Sequence, residues 1–255
     1  MIRRILLALG LPGVLFVMWW LASANSESFY APPLRDILAA FADTWTPERL
    51  RADVLPSLAR LGAGYLLAAV LGIALGVAIG ASPRLRATTE PVLEFFRAVP
   101  PPVLVPVIML FAGIGNGMKV IVIVSGCVWP VLLNTVEGVR AVDGVLSDTS
   151  RAYGITGAAR LRHLLLPGAS PQIVAGLRQA LSIAIILMVI SEMFAASNGL
   201  GFTIVQFQRS FAIPEMWSGI ILLGLLGFGL SLLFRLAEGR ALRWYHGLRD
   251  AQRKS

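Results

Sequence analysis

Long apolar runs alternate with short, arginine-bearing polar connections along the whole chain. A helix needs about 20 mostly apolar residues to cross a bilayer core about 30 Å thick. Six stretches meet or approach that length: Ile5–Ser23, Ser57–Ala81, Val99–Ile114, Met118–Val136, Gly176–Ala196 and Trp217–Leu236. The third is short and holds Pro100, Pro101, Pro102 and Pro106. The pattern predicts an all-α, polytopic membrane fold of about six transmembrane helices. The first stretch also fits a secretory signal, because Arg3 and Arg4 precede it and Ala22-Ser23-Ala24 resembles a cleavage site. Its run is longer than a signal core of about 7–15 residues, and Trp19-Trp20 suit an interface belt, so it is read as a retained helix. The Asn25–Pro56 stretch, with Glu27, Asp36, Asp43, Glu48 and Asp53, reads as a solvated connector with a short surface helix. No internal repeat or low-complexity segment is evident.

Composition agrees. Of 255 residues, 56% are hydrophobic and 14% charged, against about 45–50% and about 25% in soluble domains. Disorder and a collagen-like rod are excluded, and a single cysteine, Cys127, permits no internal disulfide. The net charge of +8 raises nucleic acid as a partner, but the basic residues punctuate apolar runs, which fits membrane topology and no nucleic-acid role. Of 22 Lys and Arg, only Arg35, Arg49, Arg51, Arg60, Lys119 and Arg209 fall outside the N-terminus, the second and fourth connections and the tail. The positive-inside rule then places both termini and the Glu137–Arg178 connection in the cytoplasm. The expected organisation is an N-terminal helix and periplasmic connector over residues 1–56, a core over 57–237 with a cytoplasmic loop at 138–175, and a basic cytoplasmic tail over 238–255.

Enzyme chemistry lacks its constellations. His163 and His246 lie in different segments, and neither a metal-binding Cys/His spacing nor a G-x-S-x-G elbow occurs. The lysines, Lys119 and Lys254, have no Walker A context. Active transport would draw its energy from an ion gradient or from another subunit. Ion-coupled carriers bury carboxylates at mid-membrane; here only Glu192 lies inside a span, near its outer end. An ion-coupled carrier or channel is the competing class, and a lipid-modifying enzyme, lacking a catalytic cluster, is third.

The most informative connection runs from Asp143 to Pro167. Gly154 can end one short helix in the left-handed conformation, Thr156 can cap a second, and Pro167 and Pro171 are expected to stop that second helix before span five. Ile155, Ala158, Ala159 and Leu161 alternate with Arg160, Arg162 and His163. Small side chains permit close approach and arginines reach carboxylates; a helix lying on lipid headgroups has the same character.

The spacing of this loop resembles the EAA motif of ABC importer permeases: E-A-A, three residues, G, nine residues, I-x-L-P. Asp148-Thr149-Ser150 stands at the first triplet, and Gly154, Leu164, Leu166 and Pro167 fall in register. Asp replaces Glu, Thr-Ser replaces Ala-Ala, and Leu replaces Ile. Phe96-Arg97-Ala98-Val99-Pro100-Pro101, Trp129-Pro130 through Asn134-Thr135, Gly176-Leu177-Arg178, Ser191-Glu192-Met193 and Gly199-Leu200-Gly201 are similar to the nitrate/sulfonate/taurine branch of that family. The resemblance implies a transport subunit and not an enzyme, in a bacterial inner membrane. It implies a second permease subunit, commonly an identical copy, two ATPase subunits that bind ATP and Mg, and a periplasmic or lipid-tethered solute-binding protein. Residues coupling to the ATPase would be Asp148, Gly154, Ile155, Thr156, Ala158, Arg160, Leu161, Leu164, Leu166 and Pro167. The implied solute is a sulfonate, taurine or nitrate, with a pyrimidine or thiamine precursor second.

Candidate pathway or gate residues are Pro101 on the proline-rich third span, Trp129 and Asn134 on the fourth, and Glu192 and Met193 on the fifth. Irregular backbone at membrane depth lines either protein or a cavity. Glu192 fits either a gate or a structural anchor. Gly62, Gly72, Gly76 and Gly80 read as a small-residue stripe for close helix contact.

Overall fold

The computed structural model describes residues 2–194, 196–245 and 247, with side chains from Gly10 onward. Arg249, Arg253, Lys254 and His246 lie outside the described residues, as do the side chains of Arg3 and Arg4. Among the described residues there is no strand, and the helices are α1 (Ile2–Ser23), α2 (Leu34–Thr44), α3 (Pro47–Ala81), α4 (Pro83–Ala98), α5 (Pro101–Ala112), α6 (Asn116–Arg140), α7 (Gly144–Ala152), α8 (Gly157–Phe194), α9 (Leu200–Arg209) and α10 (Ile213–Ala241).

Among those residues α3, α6, α8 and α10 are long and apolar enough to cross a membrane, and α4 with α5 makes a fifth crossing if the bent pair is one span. The expected sixth, α1, contributes only the shorter apolar stretch Gly10–Ser23 to that test. The third span departs from expectation. Instead of one helix over Val99–Ile114, two helices meet at an 82° bend. Val99 and Pro100 are extended, with ψ of 119° and 120°, because a residue before proline is driven out of the helical region. The supposed loop before it is the helix α4. Ser82 accepts the Leu85 N–H at 3.3 Å and Pro83 opens the first turn.

Proline also behaves differently from expectation in α8. Pro167 and Pro171 do not end the loop helix, which runs on to Phe194. For Pro167 the reason lies just upstream. Leu161–Leu165 is a π-helical turn, closed by Leu166 N–H donating to Leu161 O. A proline ring crowds the carbonyl four residues earlier and supplies no N–H; the wider turn relieves both conflicts. The same device recurs in α3, where the π turn Leu50–Val54 precedes Pro56. The Asn25–Pro56 connector is accordingly far more helical than expected, comprising α2 and the start of α3.

The chain divides into two compact units. One comprises residues up to Pro56 with Ser197–Leu225; the other comprises Ser57–Ala196 with the chain from Leu226 onward. In the first, Leu34 and Ile37 of α2 are buried, and Ser23 Oγ accepts the Leu34 N–H at 3.1 Å. Trp45 donates to Ser218 Oγ and Trp217 to Tyr30 O, each at 3.1 Å. Asp53 accepts the Gly199 N–H at 3.2 Å.

The second unit is built on α3, α6 and α8. A Cβ at Gly64, Gly72, Gly76 or Gly80 of α3 would meet Ile123, Val131, Thr135 or Val139 of α6, at 2.6 Å from Thr135 Cβ in the case of Gly76. Both sets recur at multiples of four residues, so the two backbones approach along i±4 ridges. Gly62, included in the expected stripe, faces open space, and Gly64 takes its place. Gly138 and Gly176 bring α8 equally close: a Cβ would lie 2.9 Å from Ala169 O and 2.6 Å from Pro130 O, respectively. Val139, Leu165, Ala169 and Ile173 form one core cluster of this unit.

Candidate functional site

Asp143 starts the loop between α6 and α8 by accepting the Leu146 N–H at 3.0 Å, which caps α7. The helix stops at Gly154, whose φ of 69° places it in the left-handed region. Ile155 N–H then reaches back to Ser150 O at 2.9 Å, and the buried Ser150 hydroxyl donates to Ile155 O at 3.0 Å. Thr156 occupies the N-cap position of α8 but makes no side-chain cap bond. Gly157 follows with φ of 55°, so the first turn does not converge on the Thr156 hydroxyl. Arg160 turns back toward α7, where Nη2 donates to Ser147 Oγ at 2.8 Å. The result is an elbow of two helices braced against each other.

The residues matching the coupling motif divide between its two faces. Asp148 is exposed and pairs with Arg151 at 3.2 Å. Ile155, Thr156, Ala158 and Pro167 are exposed, while Leu161, Leu164 and Leu166 are half-buried. The fully buried anchor is Leu165, which the motif register passes over. Val145, Leu146 and Tyr153, 73%, 56% and 81% exposed, were also missed. Their signal in the sequence was apolar residues among polar ones in a connection.

The pathway candidates do not form one cluster. Glu192 is completely buried. Its carboxylate accepts from Ser57 Oγ at 2.8 and 2.9 Å and from Arg60 Nη1 at 2.6 Å. Arg60 Nε also donates to Asn116 Oδ1 at 2.8 Å. Lys119, likewise buried, sits close enough to feel both charges. This cluster ties α3, α6 and α8 together, and Arg60 and Lys119 were read in sequence only as outside charges. Met193, one position along α8, is exposed. Trp129 is half-buried and stacks on Phe96, with centroids 6.1 Å apart and planes 5° apart. Asn134 donates to Pro130 O at 2.8 Å and to Gln179 Oε1 at 3.2 Å. Pro101 opens α5 and packs against α6 beside Gly126. Among the described residues no group of His, Cys, Asp and Glu is arranged to hold a metal.

Residues 68–243 match the family described as the binding-protein-dependent transport system inner membrane component. The chain belongs to that family. The permease is 29% identical over 250 residues to the taurine transport system permease protein of Escherichia coli (strain K12), covering 95% of this chain and 91% of the relative. It is 28% identical over 233 residues to the nitrate import permease protein of Synechocystis, covering 88% and 85%. Its fold matches a chain of the inward-facing MetNI methionine ABC transporter with a TM-score of 0.62 at 24% identity, over 76% of this chain and 94% of that one.

Proposed function

We propose that this permease forms the translocation pathway of an ATP-driven importer for a small anionic or zwitterionic solute of the taurine, aliphatic sulfonate or nitrate kind. Energy comes from a separate ATPase, which holds ATP and Mg and docks on the α7–α8 elbow. A solute-binding protein delivers cargo at the opposite face. Two copies of the permease, with termini on the ATPase side, enclose the pathway. The names of the taurine and nitrate relatives support the solute class.

The observation that carries this reading is the exposed apolar surface of the elbow. Val145, Leu146, Tyr153 and Ile155 stand out of a polar, arginine-rich connection. Apolar side chains left in water mark a protein interface, and their neighbours Asp148, Arg151 and Arg162 supply a charged rim. The elbow's bracing preserves its shape without help from the partner.

Co-expression of the permease with its ATPase tests this directly. Tyr153→Asp is expected to abolish co-purification of the ATPase while leaving the permease folded and in the membrane. Taurine, an alkane sulfonate or nitrate, presented by the binding protein, is expected to stimulate ATP hydrolysis by the intact complex. Uptake that survives without ATP and follows a proton gradient would replace this reading with an ion-coupled carrier.

A further inference from the structure

Within the second unit α8 and α10 run antiparallel, and a groove of about 210 Å³ opens between them. It is lined by Arg178, Leu181, Ser182, Ser231, Phe234 and Arg235. The two walls mirror each other. On α8 a serine follows an arginine by four residues; on α10 a serine precedes an arginine by four. Four residues are about one helical turn, so each arginine has a hydroxyl one turn further along the groove, on the side toward the middle of both spans.

Two features call for a ligand here. Elsewhere in these helices serine hydroxyls are satisfied by their own backbone: Ser170 donates to Pro167 O at 2.8 Å and Ser191 to Met188 O at 2.9 Å. Ser182 and Ser231 make no such bond and have no partner among the described residues. Polar groups facing a bilayer require partners that hydrocarbon cannot supply. The charge is also unbalanced. Arg178 pairs with Glu238 at the groove's end, whereas Arg235 has no carboxylate partner among the described residues. A second charged groove is neutral by contrast, since Arg86, Arg97 and Arg140 face Glu90, Glu94 and Glu137.

We propose that this groove binds the phosphate of an anionic phospholipid from the leaflet on the arginine-rich side of the membrane. Arg235 and the free edge of Arg178 take the phosphate, as basic pockets between spans do. Ser182 and Ser231 donate to the glycerol ester oxygens one turn deeper, and Phe234 lies along the start of an acyl chain. At about 30 Å³ per water molecule, the groove holds the equivalent of about seven waters, enough for a phosphodiester and its neighbouring carbons. α10 suits such an occupant, because almost none of its apolar stretch is buried in the chain.

The test uses the full-length permease in neutral detergent, titrated with short-chain phosphatidylglycerol or phosphatidylcholine while its thermal midpoint is followed. Phosphatidylglycerol is expected to raise the midpoint saturably and phosphatidylcholine to leave it unchanged. Arg235→Gln is expected to raise the half-saturating concentration about tenfold, the scale of one charge-assisted hydrogen bond. Arg235→Lys should recover part of that loss, and Ser231→Ala should weaken binding a few-fold. Arg240→Gln, outside the groove, should match the unaltered protein. Equal responses to both lipids overturn the proposal. So does equal weakening by Arg240→Gln, which would mean diffuse attraction to a basic surface. Reproduction of the shift by inorganic phosphate or methanesulfonate would make this a free-anion site. A midpoint that follows protein concentration and not lipid would put a second copy in the groove. The readout needs neither ATPase nor solute, so it stands or falls separately from the transport assignment.

Discussion

A carboxylate removed from water keeps its charge only against a partner, and breaking such a pair from one side costs about 3–5 kcal/mol because the other charge is left stranded. Glu192, with no solvent exposure, is such a carboxylate, held by Ser57 and Arg60. Glu192→Leu removes the carboxylate that pairs with Arg60, in a buried cluster that also holds Lys119. The expected outcome is a loss of about 3–5 kcal/mol, read as a lower thermal midpoint of the purified permease. Arg60→Met combined with Glu192→Leu is expected to cost less than the sum of the two single changes, and strict additivity would refute the coupling. Of this cluster only Glu192 was legible in the sequence, as a carboxylate standing alone in a span. Arg60 and Lys119 lie near the ends of apolar runs, where long basic side chains ordinarily snorkel to the interface. Nothing in the linear pattern distinguishes that from turning inward.

Among the helices, the contacts that matter are made by what is missing. Gly64, Gly72, Gly76 and Gly80 let α3 settle on the backbone of α6, and contact at that range supplies dispersion where lipid removes the usual hydrophobic drive. Gly76→Val would set a Cβ 2.6 Å from Thr135 Cβ and 2.8 Å from Leu132 O. Two helices must then separate, at about 1–3 kcal/mol for overpacking, and the expected result is a lower midpoint and poorer recovery from the membrane. Gly62→Val, facing open space, is the matched control and should be near neutral. The existence of the main spans was legible from apolar run length, and the small-residue stripe from its spacing. The errors cluster at proline. Pro100 to Pro102 produced a sharper break than a kinked span, because consecutive prolines also fix the residue before them. Pro167 produced no break, because a π turn absorbs it, as another does ahead of Pro56. A proline signals a backbone conflict; the neighbouring turns decide how it is resolved.

For the molecule as a whole, the proposed coupling to an ATPase requires that the elbow between α7 and α8 keep its shape. Gly154 sits at φ of 69° with no neighbour within 4 Å of a would-be Cβ, so Gly154→Val tests conformation and not crowding. A β-branched residue there is strained by about 1–2 kcal/mol. The expected outcome is a permease that inserts and purifies normally while the complex loses solute-stimulated ATP hydrolysis; full stimulation in that variant would separate the elbow from energy coupling. Gly154→Asn, which tolerates the left-handed region, should retain most of the activity. The elbow's outline was legible from Gly154 and the spacing to Pro167, but its anchor was not, since Leu164, Leu165 and Leu166 are the same residue type and only the helix phase selects one to point inward.

The π turn before Pro167 has a mechanical corollary. Because it keeps α8 unbroken over 38 residues, the elbow and the Glu192 cluster sit near opposite ends of one continuous helix, about 57 Å along its axis at 1.5 Å per residue. If α8 tilted as one body by about 10° about its Gly157 end, its far end would move through about 10 Å on that geometry.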